Sequence, residues 1–142
     1  QIDALWVFAG FPNASVIQAA TSNKVRLLQV YEAAKKGTLF TDHPYYAEVT
    51  IPAGTYPHVD YDVVTVQDSA LWVTGRHMKT EMISKMIGEV YSDAGLTVMR
   101  SVSSAARFMT VDRALNGIVN KMHPGAVEFW ESKGKTLNAS QK

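Results

Sequence analysis

The stretch that decides the fold of this chain is Ile2-Asp3-Ala4-Leu5-Trp6-Val7-Phe8-Ala9-Gly10-Phe11-Pro12-Asn13. Its apolar run is rich in bulky residues, is closed by glycine and proline, and is followed by a helical pattern. This order is typical of a buried strand that leads into the N-terminus of a helix. Backbone N–H groups converge at such a junction, so the turn after the strand can hold an anion or a carboxylate. Because the sequence begins inside this predicted strand, we expect further chain to precede it.

Composition narrows the class of protein. The 142 residues are 46% hydrophobic and 19% charged, which favours a packed globular fold over disorder. With 14 basic and 13 acidic residues the net charge is +1, so we expect no broad basic face and no nucleic-acid partner. The absence of cysteine excludes disulfides, thiolate metal sites and a cysteine nucleophile. No apolar run in the sequence is long enough to span a bilayer.

The first third alternates strand and helix signals. Pro12 suits the first position of a helix, whose apolar face is formed by Val16, Ile17 and Ala20. Residues 25–30 predict a second strand, and residues 31–36 predict a short helix that ends at Gly37. Strand, helix and strand in this rhythm predict a parallel pair joined by a crossover, and therefore an α/β fold.

The middle of the chain is predicted to be extended. Residues 46–51 alternate like a strand, and the segment from Pro52 to Pro57 then forces a turn. Residues 63–66 and 70–73 predict a long extended segment of the kind that crosses between lobes as a hinge. The polar residues 67–69 between them are either a bulge or the exposed part of one long strand.

The last half is predicted to be helical. Met78, Met82, Met86 and Val90 recur every four residues, which indicates an amphipathic helix of about four turns. A second helix is expected over 103–116 and a third from Pro124 to Gly134, while the polar tail over 135–142 is expected to fray. The methionine series is either core filling or a groove for a partner. We expect the three tryptophans, Trp6, Trp72 and Trp130, to lie mostly in the core. Trp6 differs because, with Phe8, it lies near the end of the predicted strand, where ligands sit in open α/β folds.

Candidate catalytic residues are few. The four histidines are not paired at a zinc-like spacing, so no metal site is predicted, and His123 is expected to cap the helix that Pro124 begins. His58 with Asp60 or Asp62 forms either an acid–base pair or only a polar loop. Neither a Gly-x-Ser-x-Gly elbow nor a phosphate-cradling loop is present in the sequence.

The opening junction is the best site candidate. Gly10 allows close approach to the backbone, and Phe11 and Asn13 offer N–H groups at the start of the helix. The alternative is a plain turn from strand to helix with no ligand.

Three motifs, in this order, carry a resemblance to a known family. The first is Ile2-Asp3-Ala4 followed by Ala9-Gly10-x-Pro12, where x is any residue, and the second is Ile51-Pro52-Ala53-Gly54-Thr55-Tyr56-Pro57 followed by Asp62-Val63 and Thr65-Val66. The third is His123-Pro124-Gly125-Ala126 with the segment from Glu131 to Gly134. Together they resemble the TAXI-family solute-binding proteins of TRAP transporters.

The resemblance implies a fold and a division of the chain. Such proteins have a two-lobed, periplasmic-binding-protein-like fold of type II, with mixed sheets and C-terminal helices, and this sequence corresponds to their C-terminal half. Residues 1–50 are expected to be the end of the second ligand-binding lobe. Residues 51–142 are expected to hold the crossing strands and the C-terminal part of the first lobe.

The resemblance also implies a function. The protein is expected to capture a small organic anion, an amino acid or a carboxylate, in the periplasm, and to deliver it to the membrane permease subunits of a TRAP transporter. It is expected to contact the membrane only through that permease, to hold no metal or cofactor, and not to be an enzyme. The alternative is an enzyme or a ligand sensor built on the same two-lobed fold. The ligand-binding residues carried over are Phe8, Ala9, Gly10, Phe11, Pro12, Asn13 and Tyr56.

Overall fold

The computed structural model describes residues 3–142 and shows a mixed α/β architecture. Two strands, β1 (Ala47–Ile51) and β2 (Val63–Gln67), form its sheet. The helices are α1 (Ala14–Ser22), α2 (Tyr31–Lys36), α3 (Leu39–Asp42), α4 (Thr80–Val90), α5 (Asp93–Val102) and α6 (Pro124–Ser132), with a 3₁₀ helix over Ser104–Phe108. None of the helices in this described range is long and apolar enough to cross a membrane.

The sheet is an antiparallel pair, and the sequence predicted both of its strands. Ala47 lies opposite Gln67, and Ile51 lies opposite Val63. The chain turns back after β1 because Pro52 has no N–H for a ladder and Gly54 takes a φ of +75°. The strands expected over 46–51 and 63–66, and the turn between them, are confirmed. The division at residues 50 and 51 stays a prediction.

The parallel pair predicted for the first third is wrong. The opening strand was expected from Ile2, which lies outside the described residues; residues 3–9 form no strand, and neither do residues 25–30. Trp6 is 72% exposed, and Leu5 and Phe8 are exposed beside it. An apolar pattern sets which side chains point together, but a strand also requires a neighbour for its N–H and C=O groups. Within residues 3–142 neither segment pairs with another strand.

The long extended segment predicted over 63–73 is shorter than expected. Strand β2 ends at Gln67, and residues 70–73 lie outside the sheet. Val73 is 90% exposed and Trp72 is exposed as well, so the apolar character of this segment is not used in the core. The hinge role of the segment stays a prediction.

One hydrophobic cluster lies between the sheet, α1 and the loop over 52–62. Val49 from β1 and Val63 from β2 are buried there, and Ala20 of α1 is fully buried. The other buried members are Phe11, Tyr56 and Val59. This cluster brings the opening turn against the loop that follows β1, which is how the first two sequence motifs come together.

A second cluster holds α6 against α4. A side chain at Gly125 would overlap the Thr80 carbonyl oxygen, so the two helices approach each other through a bare backbone. Phe129, Trp130 and Leu137 are buried in this cluster, which confirms the core position expected for Trp130. The start of α6 is capped as expected: the Gly125 N–H donates to His123 Nδ1 over 3.1 Å.

Three other expectations are wrong, and for Met82 and Met86 one of the two interpretations of the methionine series is excluded. Met82 and Met86 are exposed on α4, so they do not fill the core. Trp6 and Trp72 are exposed, because the segments that carry them pair with no strand within the described chain. In place of one helix over 103–116, the chain forms a 3₁₀ helix over Ser104–Phe108 and then turns, after α5 has ended at Val102. The tail over 135–142, which was expected to fray, packs against the protein: Gln141 is buried, and its Nε2 donates to the Ile118 carbonyl over 2.7 Å.

Candidate functional site

The opening turn lies between an exposed extended segment and α1. Phe8, Ala9, Gly10 and Pro12 are exposed, and the Phe11–Pro12 peptide bond is cis. Phe11 is buried, and its ring packs against Phe108 with the ring centroids 5.2 Å apart. A Cβ atom at Gly10 would approach that of Ala105 to 3.3 Å, so the backbone of the turn runs close to the 3₁₀ helix.

Asn13 closes the N-terminus of α1. Its side-chain Oδ1 accepts hydrogen bonds from the N–H groups of Ser15 and Val16, over 3.0 and 3.3 Å. The Asn13 N–H itself donates to the Tyr56 hydroxyl over 3.0 Å. The sequence predicted that the Asn13 N–H would be offered to a ligand. In this structure it is bonded to the protein, because the buried Tyr56 side chain lies beneath the turn.

Tyr56 is placed by the loop between β1 and β2. It is only 4% exposed, and its hydroxyl joins two segments that are 43 positions apart in sequence. The loop is braced around it by a hydrogen bond from Ala53 N–H to Asp62 Oδ1 and by one from Gly54 N–H to the Val59 carbonyl. Tyr56 therefore contacts the predicted ligand turn, and the ligand role of both stays a prediction.

Arg107 is a residue of this site that the sequence did not point to. Its guanidinium donates to the Phe11 carbonyl over 2.6 Å, and its Cζ lies 4.7 Å from the ring centroids of both Phe11 and Phe108. Arg113 lies on the same Phe108 ring, with its Cζ 5.1 Å from the centroid. No local sequence motif indicates this contact, because 96 positions separate Arg107 from Phe11. The sequence had also predicted a regular helix around Arg107.

The family assignment follows from a comparison with protein-family models. The model described as the NMT1-like family matches residues 1–134. The chain belongs to the NMT1-like family. This family includes periplasmic solute-binding proteins, which supports a periplasmic-binding-protein-like fold for the chain. It indicates a small-molecule ligand, a membrane transporter as partner, and an extracytoplasmic place of action.

Two other chemistries considered from the sequence, a metal site and an acid–base pair, concern the histidines and carboxylates of this NMT1-like chain. Over residues 3–142 no group of three or more histidine, aspartate or glutamate side chains is placed to hold a metal ion. Asp62, one of the two carboxylates considered for a pair with His58, accepts the hydrogen bond from Ala53 N–H. His58 is exposed at a φ of +64°, and within the described range it forms no hydrogen bond to Asp60 or Asp62. The carboxylate in this loop therefore braces a turn.

A concave region lies beside the segment that was predicted as the second strand, away from the opening turn. It has a volume of about 590 Å³ and is lined by Arg26, Leu27, Leu28, Gln29, Val30, Ala33 and Tyr61. The Tyr61 hydroxyl accepts from the Leu27 N–H over 3.0 Å and donates to the Leu27 carbonyl over 3.1 Å. Tyr61 therefore holds this segment as Tyr56 holds the opening turn, which makes the two tyrosines a matched pair for mutation.

Proposed function

We propose that this NMT1-like chain serves as the extracytoplasmic solute-binding component of a TRAP-type transporter of the TAXI type. It binds a small organic anion, an amino acid or a carboxylate, and delivers it to the permease subunits in the membrane. The ligand lies at the turn formed by residues 8–13, above Tyr56. The observation that carries this proposal is the hydrogen bond from Asn13 N–H to the Tyr56 hydroxyl. It joins Asn13, which follows the first motif of the resemblance, to Tyr56 of the second motif.

The mechanism follows from differential affinity. A ligand shifts a protein between open and closed states only as far as it binds one state more tightly than the other. Contacts at the turn and at the loop of Tyr56, which belong to separate stretches of chain, change together when the lobes close. The permease then receives only the closed, loaded form. No chemical step is required, and the proposed function is binding without catalysis.

Thermal stability measured with a panel of ligands tests the proposal. The panel contains amino acids, mono- and dicarboxylates, and the uncharged amide of each acid as its control. A ligand that binds only the folded state at one hundred times its Kd adds about 2.7 kcal/mol to the free energy of unfolding. We expect at least one acid to raise Tm in a concentration-dependent way while its amide does not. A flat response across the acids would refute the proposal.

Transport is tested separately with the permease subunits in vesicles. We expect uptake of the acid identified by the panel to require both this protein and an inward sodium gradient. Uptake without a sodium gradient would exclude the TRAP assignment while leaving solute binding intact. His58→Ala tests the enzyme alternative, and under the proposed function it leaves both binding and uptake unchanged.

A further inference from the structure

The segment over residues 25–30 is held along one side by a tyrosine. The Tyr61 hydroxyl accepts a hydrogen bond from the Leu27 N–H and donates one to the Leu27 carbonyl, over 3.0 and 3.1 Å. One hydroxyl can meet both groups of a residue only where the backbone is extended, because in a helix the N–H and the C=O of a residue point in opposite directions. Tyr61 therefore takes the place that a neighbouring strand would take at Leu27.

The side chains of this segment alternate as those of a strand do. Val25 and Leu27 pack against the hydrophobic cluster between the sheet and α1, whereas Arg26 and Leu28 are exposed. In an extended chain the main-chain groups of successive residues also alternate, so those of Arg26 and Leu28 point to the side opposite Tyr61. We call this side the free edge. Within residues 3–142 no hydrogen bond involves the main chain of Arg26 or Leu28.

The free edge belongs to a part of the molecule with surface available for a partner. The segment lines the concave region of about 590 Å³ described above, so open space lies against it. The chain exposes 9922 Å², roughly 2,700 Å² more than a compact monomer of its mass. A dimer of standard size buries about 800 Å² on each partner. The surplus of exposed surface is therefore large enough to supply such an interface.

A second copy of this chain carries the same free edge, and antiparallel pairing about a two-fold axis brings the two together. Pairing Arg26 with Arg26 would set like charges directly opposite each other. Pairing Leu28 with Leu28 would place Arg26 opposite Val30, whose φ of −92° and ψ of −11° are not those of a strand. Pairing Arg26 with Leu28 avoids both conflicts. In that register each pair exchanges both of its main-chain hydrogen bonds, and the axis passes beside Leu27.

We propose that two copies of this chain form a symmetric dimer in which the segments over residues 25–30 pair as antiparallel strands, with Arg26 of one copy opposite Leu28 of the other. The aliphatic stem of each Arg26 then covers a leucine that is 64% exposed in the single chain. Because Tyr61 occupies the opposite edge at Leu27, the pairing ends with two copies and does not continue into a longer array. The dimer is independent of ligand binding at the opening turn.

Sedimentation velocity over a concentration series tests the dimer, and two proline substitutions locate it. Leu28→Pro removes an N–H from the free edge but no described hydrogen bond of the single chain, and the residue before a proline favours the extended backbone that Leu27 already has. Gln29→Pro is the matched control, because the Gln29 N–H points to the edge of Tyr61 and also forms no described hydrogen bond.

We expect the wild type to convert from monomer to dimer as its concentration rises. The Kd of the dimer is expected to rise by about tenfold or more in Leu28→Pro, because symmetry removes the hydrogen bond twice, and by less than twofold in Gln29→Pro. Urea midpoints measured on both variants confirm that they are folded. A wild type that stays monomeric, association beyond two copies, or equal weakening in two folded variants overturns the inference.

Amide hydrogen exchange on the wild type gives a measurement that does not depend on the folding of any variant. We expect the amides of Arg26 and Leu28 to become protected as the concentration rises through the Kd of the dimer, whereas the Gln29 amide exchanges freely throughout. Protection of Arg26 and Leu28 that does not change with concentration would mean that something other than a second copy covers the free edge, and it overturns the inference. Absence of protection at every concentration overturns it as well.

Discussion

Replacing Tyr56 by phenylalanine tests the contact that supports the candidate site. The change removes the hydroxyl that accepts the hydrogen bond from Asn13 N–H and leaves the buried ring in place. Tyr61→Phe is the matched control. It also removes a hydroxyl that bonds main-chain groups, those of Leu27, from the same loop, but at a segment away from the opening turn.

The magnitude follows from burial. Tyr56 is almost inaccessible, so its loss leaves the Asn13 N–H facing an apolar ring; a donor left unsatisfied in this way costs about 1–3 kcal/mol. Tyr61 is only half-buried, and water can replace its hydroxyl at Leu27, so its loss costs about 1 kcal/mol or less. For a chain of this length, about 1 kcal/mol corresponds to a change in Tm of roughly 3 °C.

Urea unfolding, thermal unfolding and calorimetric titration with the acid found in the thermal panel measure these effects. We expect Tyr56→Phe to be the less stable variant and to lose ligand affinity as well, because the turn is no longer held. Tyr61→Phe is expected to keep its ligand affinity. If both variants lose affinity equally, or if Tyr56→Phe behaves like the wild type, the hydrogen bond does not position a ligand site and the reasoning fails.

Three further predictions concern stability. Gly125→Ala is expected to lower the free energy of unfolding in urea by about 1–3 kcal/mol, because its Cβ would overlap the Thr80 carbonyl oxygen and lie 2.9 Å from the Ile83 Cβ. Gly88→Ala is the control. Its Cβ would lie at an ordinary 3.5 Å from Phe129 Cε2, so this variant is expected to be as stable as the wild type or more stable. His58→Gly is expected to stabilise the protein by roughly 0.5–1 kcal/mol, because it relieves a φ of +64°, while His58→Ala, which keeps a Cβ at that φ, is expected to give no gain. Burial raises the pKa of Tyr91 above 10.0, so the folded state binds its proton more tightly than the unfolded state does. The contribution of Tyr91 to the free energy of unfolding is therefore fully present below about pH 10 and is lost as the pH rises through the pKa of the folded state. Tyr91→Phe is expected to flatten this loss in urea midpoints measured between about pH 8 and 11. Tyr31, whose pKa is raised mainly by a hydrogen bond to Glu48, titrates in both proteins, so equal slopes in the wild type and the variant would contradict the assignment to Tyr91.

The sequence was most informative where the deciding interactions are local. Pro124 and His123 predicted the start of α6, Gly134 takes a φ of +74° after its end, and Pro52 with Gly54 predicted the turn between β1 and β2. In each case the backbone preference of one residue, or a cap two residues away, is enough to set the conformation. Gly117 shows the limit of such signals. It has a φ of +75°, yet the segment before it forms turns in place of the predicted helix.

The candidate site was predicted only in part, because its contacts are long-range. The resemblance named both Tyr56 and the opening turn, and the structure brings them within hydrogen-bond distance. Arg107 could not be found in this way. Its position depends on the packing of Phe11 against Phe108, and a rigid stacking arrangement between residues almost 100 positions apart leaves no periodic trace in the sequence.

The strand predictions over residues 3–9 and 25–30 failed for the same reason, the lack of a neighbouring strand, and the large accessible surface of the chain reflects it. The chain exposes 9922 Å², against roughly 7,200 Å² for a compact monomer of its mass. Among the apolar side chains that contribute to this surface are Trp6, Phe8, Leu28 and Trp72, which lie in or beside the segments predicted as strands. Their patterns are strand-like, but a strand forms only where a second one satisfies its main chain. Strands β1 and β2 are joined by one loop of eleven residues, so each supplies the neighbour of the other and both predictions succeed. Residues 3–9 and 25–30 have no such neighbour within the described chain, and the same kind of pattern leaves them extended and exposed.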